Sequence, residues 1–481
     1  MTAVIVGLGP MGRGIARVLD KAGIPVRVVD LTPELGRAGL ERIQAEASAD
    51  GETVSITAAD DVETALGGAD LLIEAVVEDM AAKRELLARV AAAGGPNLLA
   101  ASNTSSLSVS EMGRAYGSPE RLLGLHFFNP PTKMRLVEVI VGAATDDASV
   151  KRALALVEQL GKTAVICKDS PNFIVNRVCR PLYYEAQLLV SQGVEAAVVD
   201  AAARGGLGHR MGPLQLLDFT GLHTHLASSE TALREFGDPR YRPIPQVRGL
   251  VRGGMTGRAV GRGFYDYAKE SPREANQRVL RVPGPASELS VQSEWLGLEG
   301  ELTVFRCGAP TPDKVSTLKR LAAGGDVVLD SSDGGWLGAL PHGVGWIHLH
   351  KRPDGALFAE VVDDPAANVE VPPIVDRLLD QLQAPSVRVL ALPGLVVDRL
   401  AYCMTNEAST VVEEGTASAR DVDVALRLAM NHPRGPFENL AAAGIDTVYA
   451  GLRSMTDAFG DPRYRPSQLL RRQALGLVRA R

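Results

Sequence analysis

The sequence predicts an N-terminal α/β domain with a doubly wound, mostly parallel sheet, followed by an all-α domain, a small α/β module and a second all-α domain. Three observations predict it. Short apolar runs alternate with helical periodicity over the first third of the chain. A glycine-rich turn joins the first run to the first helix. The octapeptide FGDPRYRP occurs twice, at Phe236 to Pro243 and at Phe459 to Pro466.

The elements follow in order. Ala3 opens a four-residue apolar run, the glycine turn follows, an amphipathic helix runs through Lys21, and after Gly23 the run PVRVVD ends at Asp30. This is a strand-helix-strand unit. The alternation continues through ADLLIEAVV, a helix around Ala81 to Ala93, NLLAAS, RLLGLHFF and RLVEVIVG. Beyond PNFIVNR at Pro171 the texture changes to helical stretches rich in alanine and leucine, reaching about Phe236. From about Tyr267 to Leu392 short strands return (ELTVF, DVVLD, VGWIHLH, VRVLAL) without a glycine-rich loop, so this module is expected to carry no cofactor of its own. The last part repeats the first helical stretch. PNFIVNR at Pro171 matches PGLVVDR at Pro393, Glu185 matches Glu407, and Gly212-Pro213 matches Gly435-Pro436. The expected domains are 1–167, 168–268, 269–391 and 392–481, the first of them of the Rossmann type.

Composition narrows the function. The chain of 481 residues carries 51 basic and 57 acidic side chains, a net charge of −6 spread through ordinary globular composition, which argues against a nucleic-acid partner. The four cysteines, Cys167, Cys179, Cys307 and Cys403, show no CxxC spacing, so neither a zinc framework nor a disulfide scaffold is expected. No apolar stretch reaches the roughly eighteen residues a membrane span needs, and Met1 runs straight into a strand without a basic leader. A cytoplasmic protein with no membrane contact is expected.

The glycine turn carries the first chemistry. Gly7, Gly9 and Gly12 form GxGxxG between strand and helix, and Asp30 closes the next strand. Such a loop, with Leu8, Pro10 and Met11 between the glycines, lets a pyrophosphate approach the free N–H groups of the helix N-terminus, while the acid takes the ribose hydroxyls. A dinucleotide is the expected ligand. Charged residues that interrupt apolar runs come next. Glu138 sits among aliphatic neighbours in RLVEVIVG, where an unpaired carboxylate would cost several kcal/mol, on the order of an unmade buried hydrogen bond or more. His126, at the end of LLGLH, is its candidate partner. Such a pair reads either as a general base oriented by a carboxylate or as a hydrogen-bonded core histidine. Ser105, in the polar loop ASNTSSLS, and Asn176, at the start of the helical stretch, read either as site residues or as ordinary caps and turns. The pairs His223/His225 and His348/His350 have i, i+2 spacing without an adjacent carboxylate cluster in sequence, and no metal site is expected.

Taken together, GLGPMGRGIA, SNTSSL, HFFNPPTKMRLVEVI, KDSPNFIVNR and GHRMGPLQLLDFTGL resemble the successive signatures of the L-3-hydroxyacyl-CoA dehydrogenases, over Met1 to Tyr267. The remainder resembles the longer bacterial members of that family, in which a reduced Rossmann-like module precedes a second helical domain, such as the 3-hydroxybutyryl- and 3-hydroxyadipyl-CoA dehydrogenases of fatty acid β-oxidation and phenylacetate degradation. The resemblance implies that NAD is the cofactor and an acyl-CoA thioester the substrate. It implies further that His126 is the base and Glu138 its partner, that Ser105 and Asn176 hold the substrate hydroxyl, and that Glu78, Lys83, Ser105 and Asn129 join the glycine loop and Asp30 in holding NAD. Three positions depart from the family pattern: Asn172 replaces a glycine, Ala259 replaces a lysine, and the segment Asp30 to Thr57 has room for one helix where the family has a helical hairpin that touches coenzyme A.

Two other readings compete. One is a 3-hydroxyisobutyrate-type dehydrogenase, which would need a helical-domain lysine where this chain has none between Lys168 and Lys269. The other is a non-catalytic NAD-binding scaffold, against which stands the joint presence of Ser105, His126, Glu138 and Asn176. Asp398 occupies the place of Asn176 in the second helical copy, so that copy is expected to be structural. Its partner is expected to be the first copy within one chain, giving a monomer with an intrachain pseudo-dimer, with a homodimer as the alternative.

Overall fold

In the computed structural model, residues 1–285, 291–293 and 302–478 are described, and they form two compact units. The first comprises 1–177 and 414–430. Its eight strands are β1 (Ala3–Val6), β2 (Val26–Val29), β3 (Thr57–Ala58), β4 (Leu71–Glu74), β5 (Leu99–Ser102), β6 (Leu122–Phe127), β7 (Leu136–Val141) and β8 (Thr163–Lys168). They lie in the order β3-β2-β1-β4-β5-β6-β7-β8, parallel throughout except where β7 runs antiparallel to β6. The order reverses direction at β1, so the carboxyl ends of β1 and β4 flank the crevice where such sheets bind ligands. Val4 and Ile5 of β1 and Leu72 and Ile73 of β4 are wholly buried, as expected of strands covered on both faces. The segment after Asp30 folds as the single helix Pro33–Ala49, capped by the Thr32 hydroxyl.

Helix Ala419–Met430, from the second helical repeat, belongs to this first unit and packs on β7 and β8. Its approach is fixed by the Lys168 amide donating to the Thr416 carbonyl at 2.9 Å and by Arg177 meeting Glu414 at 2.7 Å.

The second unit comprises 178–413 and 431–481. Its sheet holds β9 (Val291–Gln292), β10 (Leu302–Arg306), β11 (Val327–Asp330), β12 (Gly345–Lys351), β13 (Leu357–Val362) and β14 (Ser386–Val389), in the order β14-β13-β12-β11-β10-β9. The single antiparallel step, β12 with β13, reproduces that of β6 with β7. Glu301, at the head of the expected strand ELTVF, lies outside the described residues. Helix Ala196–Gly206 packs on β13 and β14, the counterpart of Ala419–Met430 on β7 and β8.

The two helical copies pair reciprocally within the second unit. Tyr464 donates its hydroxyl to Glu185 at 2.9 Å, and Tyr241, its counterpart in the first copy, donates to Glu407 at 2.6 Å. Asp238 meets Arg465 at 2.7 Å and Asp461 meets Arg242 at 3.6 Å. His209 and His432 stack on each other, ring centroids 3.8 Å apart and 7° from parallel. Each residue and its counterpart exchange the same contact, the signature of a two-fold interface.

That stack makes the pairing sensitive to acid. Burial holds His209 down to about 4 and His432 well below the usual imidazole range, so both stay neutral in the fold while the unfolded chain protonates near 6.5. The unfolded state then binds more protons, and stability is lost as pH falls from about 6.5 toward 4, by about 3 kcal/mol for His209 alone. Tm measured by calorimetry across that window is expected to fall less steeply in a His209→Phe/His432→Phe variant. Equal slopes in parent and variant would remove the stack as the cause.

Candidate active site

The site begins with the glycine turn. Gly7 has φ +91°, a left-handed conformation that disfavours a side chain, and a Cβ on Gly12 would stand 1.9 Å from the Gly7 carbonyl oxygen. A Cβ on Gly9 would meet nothing within 4 Å, which leaves that side of the turn open at the N-terminus of helix Pro10–Lys21. Leu8 is buried and Met11 packs partly against the core, so these two offer a ligand their backbone; Pro10 is exposed. Asp30 directly follows β2, with Oδ2 accepting the Leu8 amide at 2.8 Å, which ties the acid to the loop. The cradle fits a dinucleotide pyrophosphate and ribose. Arg27 does not reach Asp30: it donates to the Ala65 and Gly67 carbonyls at 2.8 and 2.6 Å.

Glu78 organises the loop after β5. Its Oε1 accepts from the Thr104 hydroxyl at 2.7 Å, the Ser105 amide at 2.9 Å and hydroxyl at 3.1 Å, and the Ser106 amide at 3.2 Å. Burial alone would raise this carboxyl, but the Lys83 ammonium and the Thr104 and Ser105 donors hold it below the ordinary carboxylate range. Lys83 itself is 1% exposed, with Nζ 2.9 Å from both oxygens of Glu74 and 3.4 Å from Glu78. Its charge is shared between two carboxylates, one of which, Glu78, organises the loop after β5. Glu74, which also accepts from the Ser102 hydroxyl, is a residue that motif reasoning misses, although it ends the apolar run LLIE as conspicuously as Glu138 interrupts its own. Asn129 lies exposed, two residues past β6.

His126 and Glu138 stand directly opposite each other in the antiparallel β6–β7 pair. His126 Nδ1 is 2.6 Å from Glu138 Oε2, both side chains are buried, and the rings of Phe128 and Phe173 lie 4.5 and 5.9 Å from the imidazole. The carboxylate also holds the backbone, since Oε1 accepts the Ile174 and Val175 amides at 3.1 and 2.9 Å, at the start of helix Val175–Val178. With Glu138 accepting from Nδ1–H, the basic lone pair resides on Nε2. The chain turns into that helix through Asn172 and Phe173 at φ +64° and +53°. Asparagine tolerates this left-handed backbone, which explains how it replaces glycine there. One residue into the helix, Asn176 Nδ2 donates to the Ser105 carbonyl at 3.3 Å. The structure thus brings His126 and Glu138 together, and separately Ser105, Asn176 and Glu78.

A doubly wound domain with this glycine turn, an acid just after the second strand and a carboxylate-held histidine near the end of β6 has the make-up of a nicotinamide-dependent dehydrogenase. The model of the 3-hydroxyacyl-CoA dehydrogenase NAD-binding domain matches residues 2–170, and that of the C-terminal domain of the same enzymes matches 173–267 and again 394–475. The chain is 33% identical to 3-hydroxyadipyl-CoA dehydrogenase of Escherichia coli (strain K12), across 98% of this chain and 97% of that one. It is 39% identical to a probable 3-hydroxybutyryl-CoA dehydrogenase of Bacillus subtilis (strain 168), covering 56% of this chain and 98% of the relative. Its fold matches the crystal structure of 3-hydroxybutyryl-CoA dehydrogenase from Escherichia coli K12, with a TM-score of 0.82, 29% identity, and 99% and 98% of the two chains covered. The chain belongs to the 3-hydroxyacyl-CoA dehydrogenase family. Its cofactor is NAD, and the scaffold and 3-hydroxyisobutyrate readings fall away. Among the described residues no helix is long and apolar enough to cross a membrane.

Proposed function

We propose that the chain oxidises short L-3-hydroxyacyl-CoA thioesters, including those with a terminal carboxylate, to the 3-oxo form, with His126 as general base. The observation that carries this is the 2.6 Å contact of His126 Nδ1 with a Glu138 carboxylate that is itself locked by two backbone amides. His126 Nε2 takes the hydroxyl proton, and Glu138 stabilises the imidazolium that forms. Ser105 and Asn176 steady the oxygen that loses the proton. NAD, when bound, accepts the hydride from the same carbon. The dicarboxyl preference rests on likeness to the full-length relative named for 3-hydroxyadipyl-CoA. A cytoplasmic place beside β-oxidation or phenylacetate breakdown, and a monomer whose helical copies pair within the chain, complete the proposal.

The test is NADH consumption with acetoacetyl-CoA and with a 3-oxoacyl-CoA bearing a terminal carboxylate. Turnover of both, with the higher kcat/KM for the second, is expected; turnover of neither would overturn the reading. NAD should be preferred to NADP by about a hundredfold in kcat/KM. Asp30 would face the extra phosphate at about 5 Å, which costs about 3 kcal/mol at an effective dielectric of 20. Arg27, bound to two carbonyls, is not placed to offset it. Equal use of the two cofactors would sink this assignment of Asp30.

A further inference from the structure

The small sheet carries a second copy of the catalytic hairpin. His348 and Glu360 stand directly opposite each other in β12–β13, as His126 and Glu138 do in β6–β7, and each pair member lies 222 residues from its counterpart. Glu360 Oε1 accepts the Val396 and Val397 amides at 2.7 and 3.3 Å, the counterparts of the Ile174 and Val175 amides on Glu138. The glycine loop has no counterpart among the described residues of this unit, so the copy has no evident means of holding a dinucleotide.

What has replaced the first copy's residues is chemically consistent. His350 stands where Phe128 stands, its ring 4.4 Å from His348 as that of Phe128 is 4.5 Å from His126. Asp398 stands where Asn176 stands, and Asp330 where Asn103 stands, accepting the Leu349 amide at 3.0 Å as Asn103 accepts that of Phe127. Each exchange adds an imidazole or a carboxylate. Among the described residues, the ion pairs that the three buried carboxylates Asp330, Glu360 and Asp398 make with a non-imidazole cation come to one, Arg306 at 3.2 Å from Asp330. Before the imidazoles are counted, the cluster carries two negative charges in excess.

We propose that His348, His350 and Asp398 bind one divalent transition-metal ion, of the zinc type, in this converted copy of the active site. One ligating atom from each of the three lies within 4.8 Å of the others, and His348 Nε2 is 3.1 Å from Asp398 Oδ2. Donors about 2.0–2.1 Å from a tetrahedral zinc stand about 3.4 Å apart, so only small rotations close the site. Both histidines are already oriented from their far side, His348 Nδ1 by Asp330 at 3.0 Å and His350 Nε2 by Glu360 at 2.8 Å. Carboxylates behind ligating imidazoles are the arrangement that fixes ring orientation and raises ligand basicity in metal sites. His348 Nε2 and His350 Nδ1 are the nitrogens left for the ion. Asp398 Oδ2 also accepts the Tyr402 hydroxyl at 2.9 Å, which holds the third ligand. The sequence offers no carboxylates beside His348/His350; the fold supplies them from β11, β13 and helix Val397–Glu413. The ion would clamp that helix to the sheet, a structural role in place of the lost catalytic one.

The full-length protein, stripped with a chelator and desalted, is titrated with Co2+ and then Zn2+. One equivalent of Co2+ with a visible d–d absorption, displaced by Zn2+, is expected. His350→Phe and Asp398→Asn, which restore the residues of the first copy and keep the packing, should abolish that absorption, while His223→Gln, at an exposed histidine, should leave it intact. Glu360→Gln should weaken Zn2+ binding by about 10- to 100-fold. Absence of saturable binding to the folded parent, or equal binding by parent, His350→Phe and Asp398→Asn, would overturn the proposal and leave the cluster a plain ion-pair network.

Discussion

Replacing His126 by glutamine is expected to lower kcat by about a hundred- to ten-thousand-fold while NADH still binds with its normal affinity, because glutamine offers no basic nitrogen to take the hydroxyl proton. The glycine turn and Asp30, which would hold the nucleotide, share no hydrogen bond with His126. The Glu138→Gln variant should lose turnover or stability, according to which way its amide turns. Each Glu138 oxygen is an acceptor, one from the imidazole and one from two amides, and an amide group can supply only one acceptor. If its oxygen faces the amides, its NH2 meets Nδ1 and drives the imidazole proton to Nε2, the tautomer that cannot act as base. If it is turned the other way, two buried amides face a donor, at a cost of about 1–3 kcal/mol. Stopped-flow NADH binding together with steady-state kcat separates the two variants. Near-normal turnover by His126→Gln would mean that the base is another group.

The hairpin is readable in the sequence because its chemistry is local. Two polar residues interrupting neighbouring apolar runs, twelve positions apart, have one economical arrangement, opposite each other across an antiparallel turn. The second hold on Glu138 is not readable, since the Ile174 and Val175 amides arrive from beyond β8 and leave no mark on their own side chains. For Lys83 the motif suggests a place near the nucleotide, and its buried pairing with Glu74 is not legible, because Glu74 belongs to a separate apolar run. The expected helix between Asp30 and Thr57 is present, and its length follows from the spacing alone. The second copy of the hairpin in the small module escapes a reading led by the glycine turn, which is absent there. Yet the recurrence of a histidine and a glutamate 222 residues on, at the offset of the PNFIVNR repeat, is on view in the sequence.

The pairing of the helical copies carries the second large effect, at Arg399. This guanidinium is wholly buried, donating to Glu185 at 2.8 Å, to Gln192 at 2.8 Å and to the Tyr464 hydroxyl at 3.0 Å, with Phe459 beneath it at 4.8 Å. Glu185 and Gln192 come from the first helical copy, Tyr464 and Phe459 from the second, so one side chain ties both together. Arg399→Ala removes the counter-charge of Glu185, itself 1% exposed, and opens a cavity beside it. Breaking a buried pair in this way costs about 3–5 kcal/mol, and a Tm drop on the order of ten degrees is expected for a unit of this size. The double variant Glu185→Gln/Arg399→Met removes both charges while retaining most of the volume, and should recover a substantial part of the loss. If the single and double variants melt together, the charge of Glu185 is not what Arg399 stabilises, and packing against Phe459 and Tyr464 must hold the two copies together instead.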